Sequence, residues 1–389
     1  MKHFETRSIR IQNKRTGNRE HSVPLYLTSS FTFESAEQGR ALFADEIEGN
    51  IYSRFSNPNT SEFIEKMAAL EHAEDGFAFA TGMAAVFAGF GALLQSGDHV
   101  LACRSLFGST HQLLTKVLAK WGIMHTYVDA EKPDEWEKAI QKKTRMIFIE
   151  TPSNPGLELI DLEWLGTLKK KHNIVLNVDN CFATPYLQTP ADFGADLITH
   201  SATKFIDGQG RVLGGVIAGR KDLMKEIRFF ARHTGPALSP FNAWLLSKSL
   251  ETLAVRMERH CENAFALAQY LERQSGVEKV KYPFLPSHPQ YALAKKQMKH
   301  GGGVVTFVVE GGYTRAQRFI DALQLLSITA NLGDTRTTVT HPASTTHSKL
   351  TEEERQQVGI VPGLIRISAG LEHIDDIIAD IEQALKKSK

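Results

Sequence analysis

DLITHSATKF (196–205) sets a short apolar run directly against a lysine, and the residues that follow, IDGQGRVLGG (206–215), form a small, polar, glycine-rich loop. A strand ending near Ser201 places Lys204 just beyond its carboxyl end, where ligand sites of parallel sheets lie. Working outward, the same arrangement recurs. GFAFAT (76–81) reads as a buried strand, HVLACRS (99–105), MHTYVD (124–129), RMIFIET (145–151), IVLNVDN (174–180) and GGVIAG (214–219) each read as a strand, and amphipathic segments separate most of them. Seven such strands alternating with helices predict an α/β fold with a mostly parallel sheet covered on both faces.

The flanks differ. Residues 1–60 are rich in Ser, Thr, Asn and Arg and end in YSRFSNPNT (52–60), with a turn at Asn57-Pro58. They read as an extended arm lying on something else, often a second subunit. Beyond about residue 220 come a long helical stretch from Pro240 to Gln274, strands at VEKVKYP, GGVVTFVVE and GLIRIS, a helix near 314–326, a loop from Thr329 to His347 and a final helix. The expected organisation is an arm (1–60), a cofactor-binding domain (61–255) and a smaller C-terminal α+β domain (256–389).

Chemistry-bearing residues fall at the strand ends. A lysine that is desolvated and thereby loses basicity forms a Schiff base readily. Lys204 has Ser201 and Thr203 beside it as hydroxyl donors for a phosphate. Asp179 closes the strand IVLNVDN, and a carboxylate there suits a pyridinium nitrogen. In ATGMAA (80–85) a strand runs into a helix at Gly82 and Met83, whose amides and helix dipole favour an anion. Arg54 offers a bidentate phosphate contact. In CRSLFGST (103–110), Phe107 follows another strand and can stack on a ring. ETPSNPG (150–156) exposes Asn154 on a turn. Arg366 lies within the apolar strand of GLIRIS and needs an anionic partner, either a substrate carboxylate or a structural acid. Each has a plainer reading taken alone: surface lysine, helix cap, core phenylalanine, turn residue. Their common place at one sheet edge points to pyridoxal 5'-phosphate (PLP) held on Lys204.

With these strings the chain resembles the Cys/Met-metabolism family of PLP enzymes, of fold-type I (aspartate aminotransferase-like), from YSRFSNP to IRIS. The resemblance implies that Lys204 carries the cofactor and Asp179 faces its ring nitrogen. It implies that Gly82, Met83, Ser201 and Thr203 hold the phosphate, and that Phe107 stacks on the ring. Tyr52 and Arg54 would reach the cofactor of a neighbouring subunit, with Tyr52 a second catalytic group, in a homo-oligomer built from active-site-sharing dimers, usually a tetramer. Asn154, Arg366 and Asn331 would hold the amino-acid substrate. VDNCFATP, GPALSPFNAW and NLGDTRTTVTHPASTTH are most similar to members that replace the γ-substituent of an acylated homoserine with sulfide in methionine biosynthesis. Members that use cysteine as the nucleophile, and γ-lyases, are the alternatives. Family members usually carry tyrosine where this chain has Phe107, which removes a hydroxyl. Methionine γ-lyases carry a cysteine where this chain has Ser109.

A net charge of +1, with 23% charged residues, gives no electrostatic footprint for nucleic acid or membrane. MKHFETRSIR (1–10) lacks the apolar core of a secretory signal, and no apolar run is long enough to span a bilayer. Cys103, Cys181 and Cys261 form no disulfide or zinc pattern, so a cytoplasmic location is expected. A nicotinamide site at GFGALL (89–94) or GQGRVLG (208–214) lacks the third glycine. A metal site at His341 and His347 has no standard ligand spacing, and none is expected.

Overall fold

The computed structural model describes residues 2–130, 132–346, 348, 351–357 and 359–389. Seven strands form the larger sheet: β1 (Asp75–Phe79), β2 (His99–Cys103), β3 (Met124–Val128), β4 (Thr144–Glu150), β5 (Val175–Asp179), β6 (Leu197–Ser201) and β7 (Gly215–Gly219). Their order is β1-β7-β6-β5-β4-β2-β3. Only β7 opposes its neighbours, pairing antiparallel with both β1 and β6. All seven runs expected as strands are strands, and the sheet is mostly parallel as expected.

The continuous apolar character of these strands follows from burial on both faces. Along β2, Leu101 and Cys103 pack with Ile147, Ile149, Leu176 and Val178 against Leu162, Leu165 and Leu168 of the helix Leu162–His172. The alternate residues Val100 and Ala102 pack with Met146 and Phe148 against Val86 and Phe90 of the helix Gly82–Leu93. One strand therefore feeds two cores, as its period-two side-chain alternation requires.

The second sheet contains β8 (Val277–Lys281), β9 (Val304–Val309), β10 (Ser327–Ile328), β11 (Thr338–Thr340) and β12 (Leu364–Ser368), in the order β10-β11-β12-β9-β8. Helices Leu253–Leu271 and Ile374–Lys387 cover it through Ala264, Leu267, Ile377 and Ile381 on Val305, Phe307, Ile365 and Ile367. A further cluster contains Phe63, Met67, Phe205, Leu246 and Met257 and joins the two halves.

Three expectations need correction. The arm is not simply extended, because it contains the helices Phe4–Arg10 and Ala36–Phe43, the latter capped by the Ser35 side chain. The long helical stretch divides into Pro240–Leu250 and Leu253–Leu271. The stretch from Thr329 is not only loop, since it supplies β11 and a short 3-10 turn at Pro342–Ser344.

Candidate active site

Because β7 is antiparallel to both neighbours, β1 and β6 share a direction with β2 to β5. Their carboxyl ends all open on one edge of the sheet. An open cavity of about 370 Å³ lies there, and its lining includes Gly82, Met83, Phe107, Asn154, Asp179, Ser201, Thr203, Lys204, Asn331 and Arg366. Ten of the twelve residues expected at the site thus converge on it.

Lys204 sits three residues past the end of β6. Its Nζ donates to Asn331 Oδ1 at 2.6 Å. Burial lowers its pKa from the ordinary lysine value, and the Arg366 charge adds to that effect. A less basic, partly dehydrated amine is the form that condenses with a carbonyl and exchanges protons.

Asp179 ends β5, and its Oδ1 accepts the Cys181 N–H at 3.0 Å. Burial raises its pKa to about 6, against the lowering effects of that hydrogen bond and of His200. A half-buried carboxylate with no ion-pair partner among the described residues suits a protonated ring nitrogen as counter-charge.

The helix Gly82–Leu93 starts beside these groups. The Thr81 side chain caps it by accepting from the Ala84 amide at 3.1 Å. Gly82 and Met83 occupy the first turn, where amides have no helical acceptor. A Cβ on Gly82 would stand 2.6 Å from Ser201 Cβ, so only glycine lets the helix start this close to β6. Ser201 lines the cavity, whereas the Thr203 hydroxyl is engaged with Gly214, accepting its amide at 3.1 Å.

Arg366 is on β12, in the middle of the second sheet, and burial pulls its pKa down to about 10. Its Nη1 donates to Asn154 Oδ1 at 2.9 Å, and its Nη2 to the carbonyls of Ala330 and Asn331. Its Nε is buried without a partner. A buried guanidinium with an unused donor, beside a side-chain amide, is a receptor for a carboxylate.

Tyr52 and Arg54 do not line this cavity. Arg54 donates to the Arg232 carbonyl and lies over the Tyr52 and Phe55 rings, 5.4 and 4.8 Å from their centroids. Tyr52 remains 41% exposed. Two ionisable lining residues were absent from the expectations. Cys181 donates its thiol to the Ser201 carbonyl at 3.5 Å, and burial pushes its pKa up. Glu150 ends β4 directly opposite Asp179 in the strand register. Burial first, and then the Asp179 charge, hold its pKa well above the usual carboxylate range.

The nicotinamide reading finds no support in the geometry, because Gly89 and Gly91 lie inside the helix Gly82–Leu93 rather than at its start. His341 uses both ring nitrogens, with Ser344 Oγ and the Pro362 carbonyl, and His347 lies outside the described residues. All three cysteines are free, and no helix among the described residues is long and apolar enough to cross a membrane.

The amine, the acid, the amide-lined helix start and the carboxylate receptor fit the cofactor and substrate class that the sequence resemblance implies. Comparison with known proteins agrees. The model of the Cys/Met metabolism PLP-dependent enzyme family matches residues 5–386. An O-succinylhomoserine sulfhydrylase of Pseudomonas aeruginosa is 50% identical, over 98% of this chain and 95% of its own. An L-methionine gamma-lyase of Fusobacterium nucleatum subsp. nucleatum is 44% identical, over 94% and 93%. A solved structure from Campylobacter jejuni, provisionally assigned as an O-acetylhomoserine (thiol)-lyase and carrying N'-pyridoxyl-lysine-5'-monophosphate, superposes with a TM-score of 0.95 at 37% identity, over 98% of this chain and 99% of its own.

Proposed function

The chain belongs to the Cys/Met metabolism PLP-dependent enzyme family, and from that premise we propose that it replaces the acyl group of an O-acylated homoserine, the succinyl ester first, with sulfide to give homocysteine. The observation that carries the reading is a single cavity joining the Lys204 amine, the Asp179 carboxylate and an Arg366 donor left open for a substrate carboxylate. The similarity to an O-succinylhomoserine sulfhydrylase supports the choice of ester and nucleophile.

Bound PLP supplies an electron-withdrawing ring that spreads the charge left when a proton leaves the substrate α-carbon. Asp179 keeps the ring nitrogen protonated. Arg366 and Asn154 hold the substrate carboxylate and so fix the amino acid over the cavity floor. Lys204, the basic amine in the cavity, takes the α-proton and returns it. It also moves a β-proton as the acyl group departs as a carboxylate. Hydrosulfide then takes the γ-position and keeps its hydrogen as the product thiol, while Lys204 returns the α- and β-protons to carbon. Phe107 has no hydroxyl to share this work, which leaves it to Lys204, with Tyr52 as the second candidate. Gly82, Met83 and Ser201 hold the phosphate, with Thr203 beside them, and Arg54 of a neighbouring subunit adds a charge. We place the enzyme in the cytoplasm as a homotetramer of such site-sharing dimers.

Methionine γ-lyases are nearly as similar, which favours γ-elimination as the second reading. Purified holoenzyme given O-succinylhomoserine or O-acetylhomoserine, each with sulfide, with cysteine or with neither, separates the cases. Homocysteine from the succinyl ester and sulfide is the expected main product. Cystathionine as the main product, or 2-oxobutyrate formed as fast without sulfide, overturns the assignment.

A further inference from the structure

Glu150 is a buried carboxylate that none of the steps above uses. It is 5% exposed and lines the cavity. Among the described residues no lysine, arginine or histidine forms an ion pair with it, so it is not half of a structural salt bridge. Its Oε2 accepts the Phe107 N–H at 2.9 Å. The neighbouring strand places Asp179 opposite it. Phe107 itself is weakly held. It caps the five-residue helix Gly108–Gln112 without a side-chain hydrogen bond and is 36% exposed. A main-chain tether from the floor of the cavity is what such a residue needs to present its ring at a fixed angle.

We propose that Glu150 is a positioning residue, the clamp that fixes the Phe107 wall of the cavity relative to the end of β5 that bears Asp179 and the turn after β4 that bears Asn154. It acts through the backbone, so the side chain at 107 can vary while the clamp remains. The inference rests on the family's cofactor and not on which ester is the substrate, so a wrong substrate assignment leaves it standing.

The visible circular dichroism of the PLP-loaded enzyme tests it, because that band reports how asymmetrically the cofactor is held. Glu150→Leu has similar bulk and no acceptor, and should lower the band at least twofold while the melting temperature stays close to the parent's. Glu150→Gln still accepts the Phe107 N–H and should restore the band. Phe107→Ala should lower it too, and adding Glu150→Leu to that variant should lower it no further, since the clamp then has no ring to place. A parental band in Glu150→Leu, a Gln variant as weak as the Leu variant, or an additive double variant each overturns the proposal. Should the Leu variant not fold, the Gln variant decides: a parental band supports the clamp and a halved band overturns it.

Discussion

At the scale of single residues, the cavity floor concentrates acids. Asp179 and Glu150 end adjacent strands, the first half-buried and the second buried, and both have raised pKa values. Without cofactor these charges are a liability. An acid whose pKa is about 6 when folded and about 4 when unfolded binds its proton more tightly in the folded state. That contribution to stability is complete below pH 4 and is lost as the pH rises through 6. Asp179→Asn keeps an oxygen for the Cys181 N–H and removes the ionisation, and it relieves Glu150 in the same direction. In cofactor-free protein the variant should therefore have the higher urea midpoint at pH 7.5, and the two curves should converge near pH 4. A parent at least as stable as the variant at pH 7.5 contradicts the electrostatic account. Asp179 was legible in the sequence because it closes a short apolar run (174–178) interrupted only by Asn177. Glu150 was not, although it opens the ETPSNPG motif, because a polar residue at a strand end looks solvated. Its meaning depends on β4 lying beside β5, and sheet order leaves no local pattern.

At the scale of elements, the junctions between strand and helix decide where the cofactor can sit. Most of the seven strands were readable because burial on both faces makes them short, mostly apolar runs, the partly exposed edge strand β3 being the exception. The helices of the arm were not. Phe4–Arg10 is seven residues long, charged, and has no side-chain cap, so it carries none of the usual start signals. The helix starting at Gly82 shows how sharply one junction is specified. Helix propensity alone favours alanine over glycine by about 1 kcal/mol. Against that, a Cβ at Gly82 would meet Ser201 Cβ at 2.6 Å and Ser201 Cα at 2.8 Å. Backbone on both sides must then move, and overpacking of this kind costs about 1–3 kcal/mol. The clash should win, and it acts where we propose the phosphate binds. Gly82→Ala is expected to fold yet to bind PLP about tenfold or more weakly, on the scale of 1.4 kcal/mol per decade. Titration of cofactor-free protein with PLP measures this, and an unchanged dissociation constant removes Gly82 from the phosphate site.

At the scale of the whole molecule, one chain brings together the amine, the ring acid and the carboxylate receptor, but not Tyr52 and Arg54. These two stay outside the cavity on a segment that packs near the helix Lys221–Thr234 through Arg232. Exposed apolar side chains accompany them, with Leu27, Phe43 and Phe229 each more than 60% exposed. Exposed apolar side chains of this kind are what an interface with a second copy would cover. If the arm completes the neighbour's site, then Lys204→Ala and Arg54→Ala disable different halves of each site. Alone, the first should be inactive and the second strongly impaired. After joint unfolding and refolding, half of the dimers are hybrids. Each hybrid contains one site with an intact Lys204 from one chain and an intact Arg54 from the other, and one site lacking both. Activity should then return to about a quarter of the parental value, as random pairing in a two-fold dimer requires. A mixture no more active than the average of its parents would show that each chain works with its own arm.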